Sequence, residues 1–235
     1  MAAAGDAGCI DFGRPGRGVR LLRNQGAKSF SDCCGQSRGR RVALAVADAR
    51  FERMHPRLRE LSEHLDRERS LLRDAVASVP VEHHGIQPVG GGWSCLEILE
   101  HLAIVERRIG MLLQSKIDEG RAAGLGPDFD ESPILPTLGL GHVSDRSAKV
   151  AAPEATHPKT VRPIDEIWQS LDASHAQFRD LLVASEGLNL ARLEHPHPRF
   201  GTLNLYAWFA FVASHEGRHA AQIRETCGSQ AVRPS

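Results

Sequence analysis

From Pro56 onward the chain follows one rule: an apolar residue returns every three or four positions, with polar residues between. The first such stretch, 56–79, carries Leu58, Leu61, Leu65, Leu72, Val76 and Val79, opens on Pro56 and stops before Pro80. At 3.6 residues per turn this spacing makes one face apolar, and proline suits a first turn, where its missing N–H has no partner to lose. A second stretch begins sharply at Ser94-Cys95-Leu96-Glu97. There the serine hydroxyl can accept from the Glu97 N–H while the Glu97 carboxylate reaches back to the Ser94 N–H, a capping box. Its apolar positions are Ile98, Leu102, Val105, Ile109 and Leu112, and the pattern lasts to about Gly124. A third predicted helix, about 164–185, uses Ile164, Ile167, Trp168, Leu171, Phe178, Leu181 and Leu182 and ends at Gly187. A fourth starts near Asn204, a good N-cap, with Leu203 and Trp208 placed for a hydrophobic staple. It continues through Phe211, Val212 and Ile223 to about Cys227-Gly228.

Four helices with one apolar face each bury those faces most simply against one another. The predicted fold is therefore all-α, a four-helix bundle over 54–228. Between the second and third helices, 125–162 is rich in Pro and Gly and reads as a long loop, of the kind that is functional or mobile. His195-Pro196-His197-Pro198 reads as a second loop. Residues 1–53 break the rule, with eight glycines, scattered arginines and no sustained apolar period. Such a segment buries too little to offset the entropy of ordering. It is read as a disordered extension, or as a stretch upstream of a true start at Met54. Residues 229–235 form a short C-terminal tail.

Composition narrows the function classes. A formal net charge of zero over 235 residues gives no electrostatic case for nucleic acid or an anionic membrane as partner. No run approaches the roughly 18 apolar residues of a membrane span. The five cysteines (9, 33, 34, 95 and 227) contain no CxxC pair, which argues against a disulfide framework or a thiolate metal site and fits a reducing cytoplasm.

The chemistry rests on histidine. His215 and His219 are four apart, so both side chains lie on one face of the fourth helix and can share an ion. With 12 histidines in the chain, chance alone supplies about 0.6 such pairs, so spacing by itself is weak. Position adds weight: His215 follows Phe211 by four and Val212 by three, and His219 precedes Ile223 by four. His101 follows Ile98 by three and precedes Val105 by four, so it too borders a buried stripe. Three unpaired inward imidazoles would each cost roughly 1–3 kcal/mol, which a shared cation would relieve. The string His215-Glu216-Gly217-Arg218-His219 also matches H-E-x-x-H, in which Glu216 would be a general base. That protease reading is disfavoured: only 16 residues remain to supply a third ligand, and Gly217 is a poor helix former. His175, on the third stripe, is a second catalytic candidate beside Glu216, with a satisfied core residue as the plainer reading. Arg218 and Gln222 flank the pair and can orient a ligand or a substrate anion. Cys95, at a helix start, reads as packing.

Gly92-Trp93-Ser94, Glu97-Ile98-Leu99-Glu100-His101-Leu102, the stretch 145–154, His195-Pro196, Phe200-Gly201, Leu203, Tyr206, Trp208, His215, Arg218-His219 and Gln222-Ile223 together resemble the DinB-like proteins, in order, over about 56–226. The resemblance implies a four-helix bundle with a divalent metal held by three histidines, here His101, His215 and His219. Three imidazoles accept zinc, nickel, iron or manganese alike. The resemblance also implies a choice of functions. One is a metal-dependent transferase that joins a low-molecular-weight thiol to a small-molecule electrophile. The other is a non-catalytic, metal-stabilised binding or stress-response module. A homodimer is a further expectation, carried by the resemblance alone.

Overall fold

The computed structural model describes residues 53–227, apart from Gly90 and 148–150. The extension read over 1–53, but for Arg53, and the 229–235 tail lie outside the described residues. Four long helices dominate: α1 (Pro56–Ala77), α2 (Cys95–Ala122), α3 (Ile164–Ala184) and α4 (Leu205–Thr226). Their starts are the predicted ones. Ser94 Oγ accepts from the Glu97 N–H at 3.3 Å, and the Glu97 carboxylate accepts from the Ser94 N–H at 2.7 Å. Asn204 Oδ1 caps α4 by accepting from Ala207 N–H at 2.9 Å.

One stripe is rotated from its prediction. On α2, Val105 and Leu112 are only half-buried, and the inward face is Leu99, Leu102, Ala103, Glu106, Ile109, Gly110, Leu113 and Ile117. Glu106 sits in the middle of that face, which is why a search for apolar residues alone misplaces its centre.

The core has two apolar layers. One gathers Leu58, Leu61 and Leu65 of α1, Ile109, Leu113 and Ile117 of α2, Phe178, Leu181 and Leu182 of α3, and residues 205–213 of α4. The other gathers Leu72, Ala75 and Val76 of α1, Cys95 to Ala103 of α2, Ile167 and Leu171 of α3, and Ala220 and Ile223 of α4. The order in which each helix visits the layers makes α1 and α4 parallel and α2 and α3 parallel. The pairing agrees: α1 packs along α4, and α2 along α3.

That topology explains 125–162. Because α2 and α3 run the same way, the chain must return along a bundle whose 28-residue helix is about 40 Å long. The predicted structureless loop is a crossover with three short helical turns, Leu135–Thr137, Gly141–Ser144 and Glu154–Thr156, and with Ile134, Leu140 and Val143 buried. Arg57, buried at the start of α1, ties it down by donating to Asp128 (2.8 Å), to the Ser132 carbonyl (3.0 Å) and to Ser132 Oγ (2.9 Å). Tyr206 adds a hydrogen bond to the same Asp128 at 2.8 Å.

The second predicted loop is instead a hairpin, β1 (Glu194–His197) with β2 (Gly201–Asn204), antiparallel with His195 opposite Leu203. A two-stranded ribbon has only edges, so Pro196 is tolerated there. Among the described residues no helix is long and apolar enough to cross a membrane.

Candidate metal centre

α2 and α4 meet near the second apolar layer, and there three imidazoles converge. The ligand-capable nitrogens of His101, His215 and His219 lie within 4.8 Å of one another. Ring centroids are 5.4 Å apart for His101–His215, 5.1 Å for His101–His219 and 4.5 Å for His215–His219. His101 is 3% exposed and His219 7%, while His215 is half-buried.

Two of the rings are oriented by what holds their other nitrogen. His101 Nδ1 lies 2.8 Å from the Thr156 carbonyl. A carbonyl only accepts, so the proton is on Nδ1 and the Nε2 lone pair is left for the cluster. His219 Nδ1 lies 2.9 Å from Gln222 Oε1, which assigns its tautomer in the same way. His219 Nε2 and His215 Nε2 then face each other at 3.1 Å. Bonds of ~2.0–2.1 Å in a tetrahedral site would set two nitrogens about 3.3 Å apart, so this donor set fits a divalent ion.

The electrostatics favour neutral ligands. Burial lowers the pKa of all three rings. For His219, with the charge of His101 added, the result is about 3, and His215 is held well below the ordinary range, with His219 and His101 next in effect. For His101 the hydrogen bond to Thr156 partly opposes the burial. A neutral imidazole keeps the lone pair that a cation needs.

Rings close two sides of the cluster. Trp93 packs on His101 at 4.9 Å, and Phe211 stacks on His215 at 5.3 Å and 16°. His197, from the hairpin, lies 4.6 Å from both Phe200 and Phe211.

The two catalytic candidates lie elsewhere. Glu216 is fully buried and turned to α1, where Arg69 grips it through Nε (2.9 Å) and Nη2 (2.8 Å). An H-E-x-x-H hydrolase would need that carboxylate facing the ion. His175 donates from Nε2 to Asp66 at 2.8 Å and is half-buried on α3, outside the cluster. Cys95 is fully buried, and burial, with Cys227 near, pushes its thiol up to about 12, so it packs rather than reacts.

The Thr156 carbonyl is the feature that sequence reasoning missed. A main-chain oxygen carries no residue signal, and Thr156 is 55 positions from the ring it holds. Gln222, three after His219, was legible as a flanking polar group.

A bundle with two histidines on its last helix and one on its second defines the class. The sequence model of the DinB superfamily matches residues 64–223. The chain belongs to the DinB superfamily. The uncharacterized protein YuaE of Bacillus subtilis (strain 168) is 24% identical over 147 residues, spanning 59% of this chain and 80% of that protein. No solved structure matches the chain.

Proposed function

We propose that this protein is a metal-dependent transferase that holds a divalent cation on His101, His215 and His219 and transfers a small thiol to an electrophile in the cytoplasm. The observation that carries it is the pair of committed Nδ1–H groups, on His101 and His219, which turn both Nε2 lone pairs inward. A cation bound by three neutral rings keeps its full charge and an open position, and lowers the pKa of a coordinated water or thiol toward ~7.

The chain's own residues supply the rest. Thr156 and Gln222 fix ring orientation, Trp93 and Phe211 wall the site, and half-buried His215 marks the approach. This reading assigns the function to the unit 54–228. Glu216, committed to Arg69, is given no base role.

Elemental analysis of the purified full chain, wild type against His101→Ala, His215→Ala and His219→Ala, tests the site. Near-stoichiometric metal is expected in the wild type and little in each variant; equal metal in all four refutes it. Turnover of an alkyl or aryl halide with a low-molecular-weight thiol should vanish in His219→Ala. A melting temperature that falls on chelation, with no metal-dependent turnover on any thiol, would instead select the non-catalytic module.

A further inference from the structure

Two of the three cluster rings are oriented by a hydrogen bond on the nitrogen that faces away, and the third is not. His101 Nδ1 is held by the Thr156 carbonyl and His219 Nδ1 by Gln222, whereas no described residue hydrogen-bonds Nδ1 of His215. A ligand imidazole without such a partner is free to turn about its Cβ–Cγ bond and to carry its lone pair off the ion. His215 is held by a ring instead. Phe211, four residues earlier and on the same face of α4, lies nearly parallel to it at 5.3 Å and 16°. Such a neighbour resists turning of the imidazole, because rotation gives up the stacked contact.

Phe211 is in turn held by three more rings. It is 6% exposed, with Trp208 at 6.0 Å and two hairpin rings reaching it edge-on, His197 at 4.6 Å and Phe200 at 5.8 Å. His197 stacks on Phe200 at 4.6 Å and 20°, and its Nδ1 accepts from the Arg199 and Phe200 N–H groups at 3.1 and 3.3 Å. Those two hydrogen bonds lie in the turn between β1 and β2, so the ring that braces Phe211 is locked to the hairpin tip. Contact therefore runs unbroken from the turn through His197 and Phe211 to His215.

We infer that Phe211, braced by His197 of the hairpin, is the positioning residue for His215, and that this stack takes the place of the hydrogen bond its two partners have. The hairpin thereby keeps the third imidazole aimed at the point where the other two converge. This rests on the metal reading above and goes beyond it, since it gives a role to residues that touch no ion.

The test is Zn(II) binding to the metal-free full chain in competition with a chelating dye, together with the visible spectrum of the Co(II)-loaded protein. Phe211→Leu keeps an apolar side chain and removes the flat face. His197→Asn keeps an acceptor for the Arg199 N–H, two residues on, and removes the brace. Phe209→Leu, at a core position of the same helix (0% exposed), controls for lost packing. Phe211→Leu should weaken Zn(II) about three- to tenfold and His197→Asn about two- to fivefold, each with altered Co(II) ligand-field bands. Phe209→Leu should lower the melting temperature, yet leave affinity within about twofold and the spectrum unchanged. Wild-type affinity and spectrum in Phe211→Leu would overturn the assignment, and so would a loss of the same size in Phe209→Leu. Should Phe211→Leu not fold, His197→Asn decides by the same two readouts. A wild type that takes up no Zn(II) sinks the metal reading itself, so the two failures are told apart.

Discussion

Between the two apolar layers lies a charged one, and it gives the sharpest stability prediction. Arg69 (5% exposed) donates two hydrogen bonds to Glu216 (0%) and one to Glu106 (1%) at 2.9 Å. One guanidinium cannot neutralise two carboxylates. Burial, with Glu216 beside it, raises the pKa of Glu106 well above the ordinary range, so Glu106 keeps its proton. The perturbation is a set of three variants: Arg69→Met, Glu216→Gln and Glu106→Gln. Removing one partner of a buried pair costs about 3–5 kcal/mol, because the other is stranded. For a domain of this size that is a fall in Tm of roughly 6–20 °C for Arg69→Met. Glu216→Gln should cost about 2–4 kcal/mol, since it gives up a bidentate charged contact. Glu106→Gln replaces a protonated acid by its neutral isostere and should cost about 1 kcal/mol or less.

The pH dependence carries a sign. In the unfolded chain Glu106 ionises near its ordinary 4.5. The folded protein holds more protons above that pH, so this group erodes stability as pH rises. Glu106→Gln removes the erosion, and its stability relative to wild type should improve from pH 5 to pH 8. The assay is urea unfolding of chelator-treated protein followed by far-UV circular dichroism. Loss of under about 1 kcal/mol in Arg69→Met, or a greater loss in Glu106→Gln than in Glu216→Gln, would refute the charge assignment.

Two further outcomes follow from single contacts. His64 accepts from Arg67 on Nδ1 and faces Ser214 Oγ from Nε2 at 3.3 Å; burial first, then the charge of Arg67, takes its pKa to about 4. The unfolded chain gains that proton near 6.5, so metal-free protein should lose up to roughly 3 kcal/mol as pH falls from 6.5 to 4. His64→Gln should flatten that part of the stability curve, and an unchanged slope would discard the assignment. Gln222→Leu removes the acceptor on His219 Nδ1 and should weaken metal binding about 10–100-fold in competition with a chelating dye. Undiminished affinity would show that the hydrogen bond does not orient the ring.

How legible the site was depended on the range of each signal. The charged layer was missed from the sequence, although its members keep the spacing of the stripes: Arg69 falls four after Leu65 and three before Leu72, Glu106 four after Leu102 and three before Ile109, and Glu216 four after Val212. A charge on a core position is a signal, but one that gives no partner. H-E-x-x-H shows the consequence. Its glutamate has the spacing of a general base, yet its partner lies 147 residues earlier, and only the packing of α1 on α4 reveals the pair. Gly217 gains its reason in the same place. A Cβ there would lie 3.2 Å from the Glu68 carboxyl carbon, so glycine leaves room for that carboxylate, which any larger residue would push aside.

By itself the sequence determined what is local: four helices, their caps, and two histidines on one face of the last. These follow from periodicity and from hydrogen bonds made within a few residues. Tertiary structure alone decided which distant groups meet: His101 with its two partners, the Thr156 carbonyl on His101, and Arg69 between two glutamates. It also turned one predicted loop into a hairpin and gave the long predicted loop its path as a crossover. Those choices come from the parallel running of α2 and α3 and from long-range packing, which no short window of residues encodes.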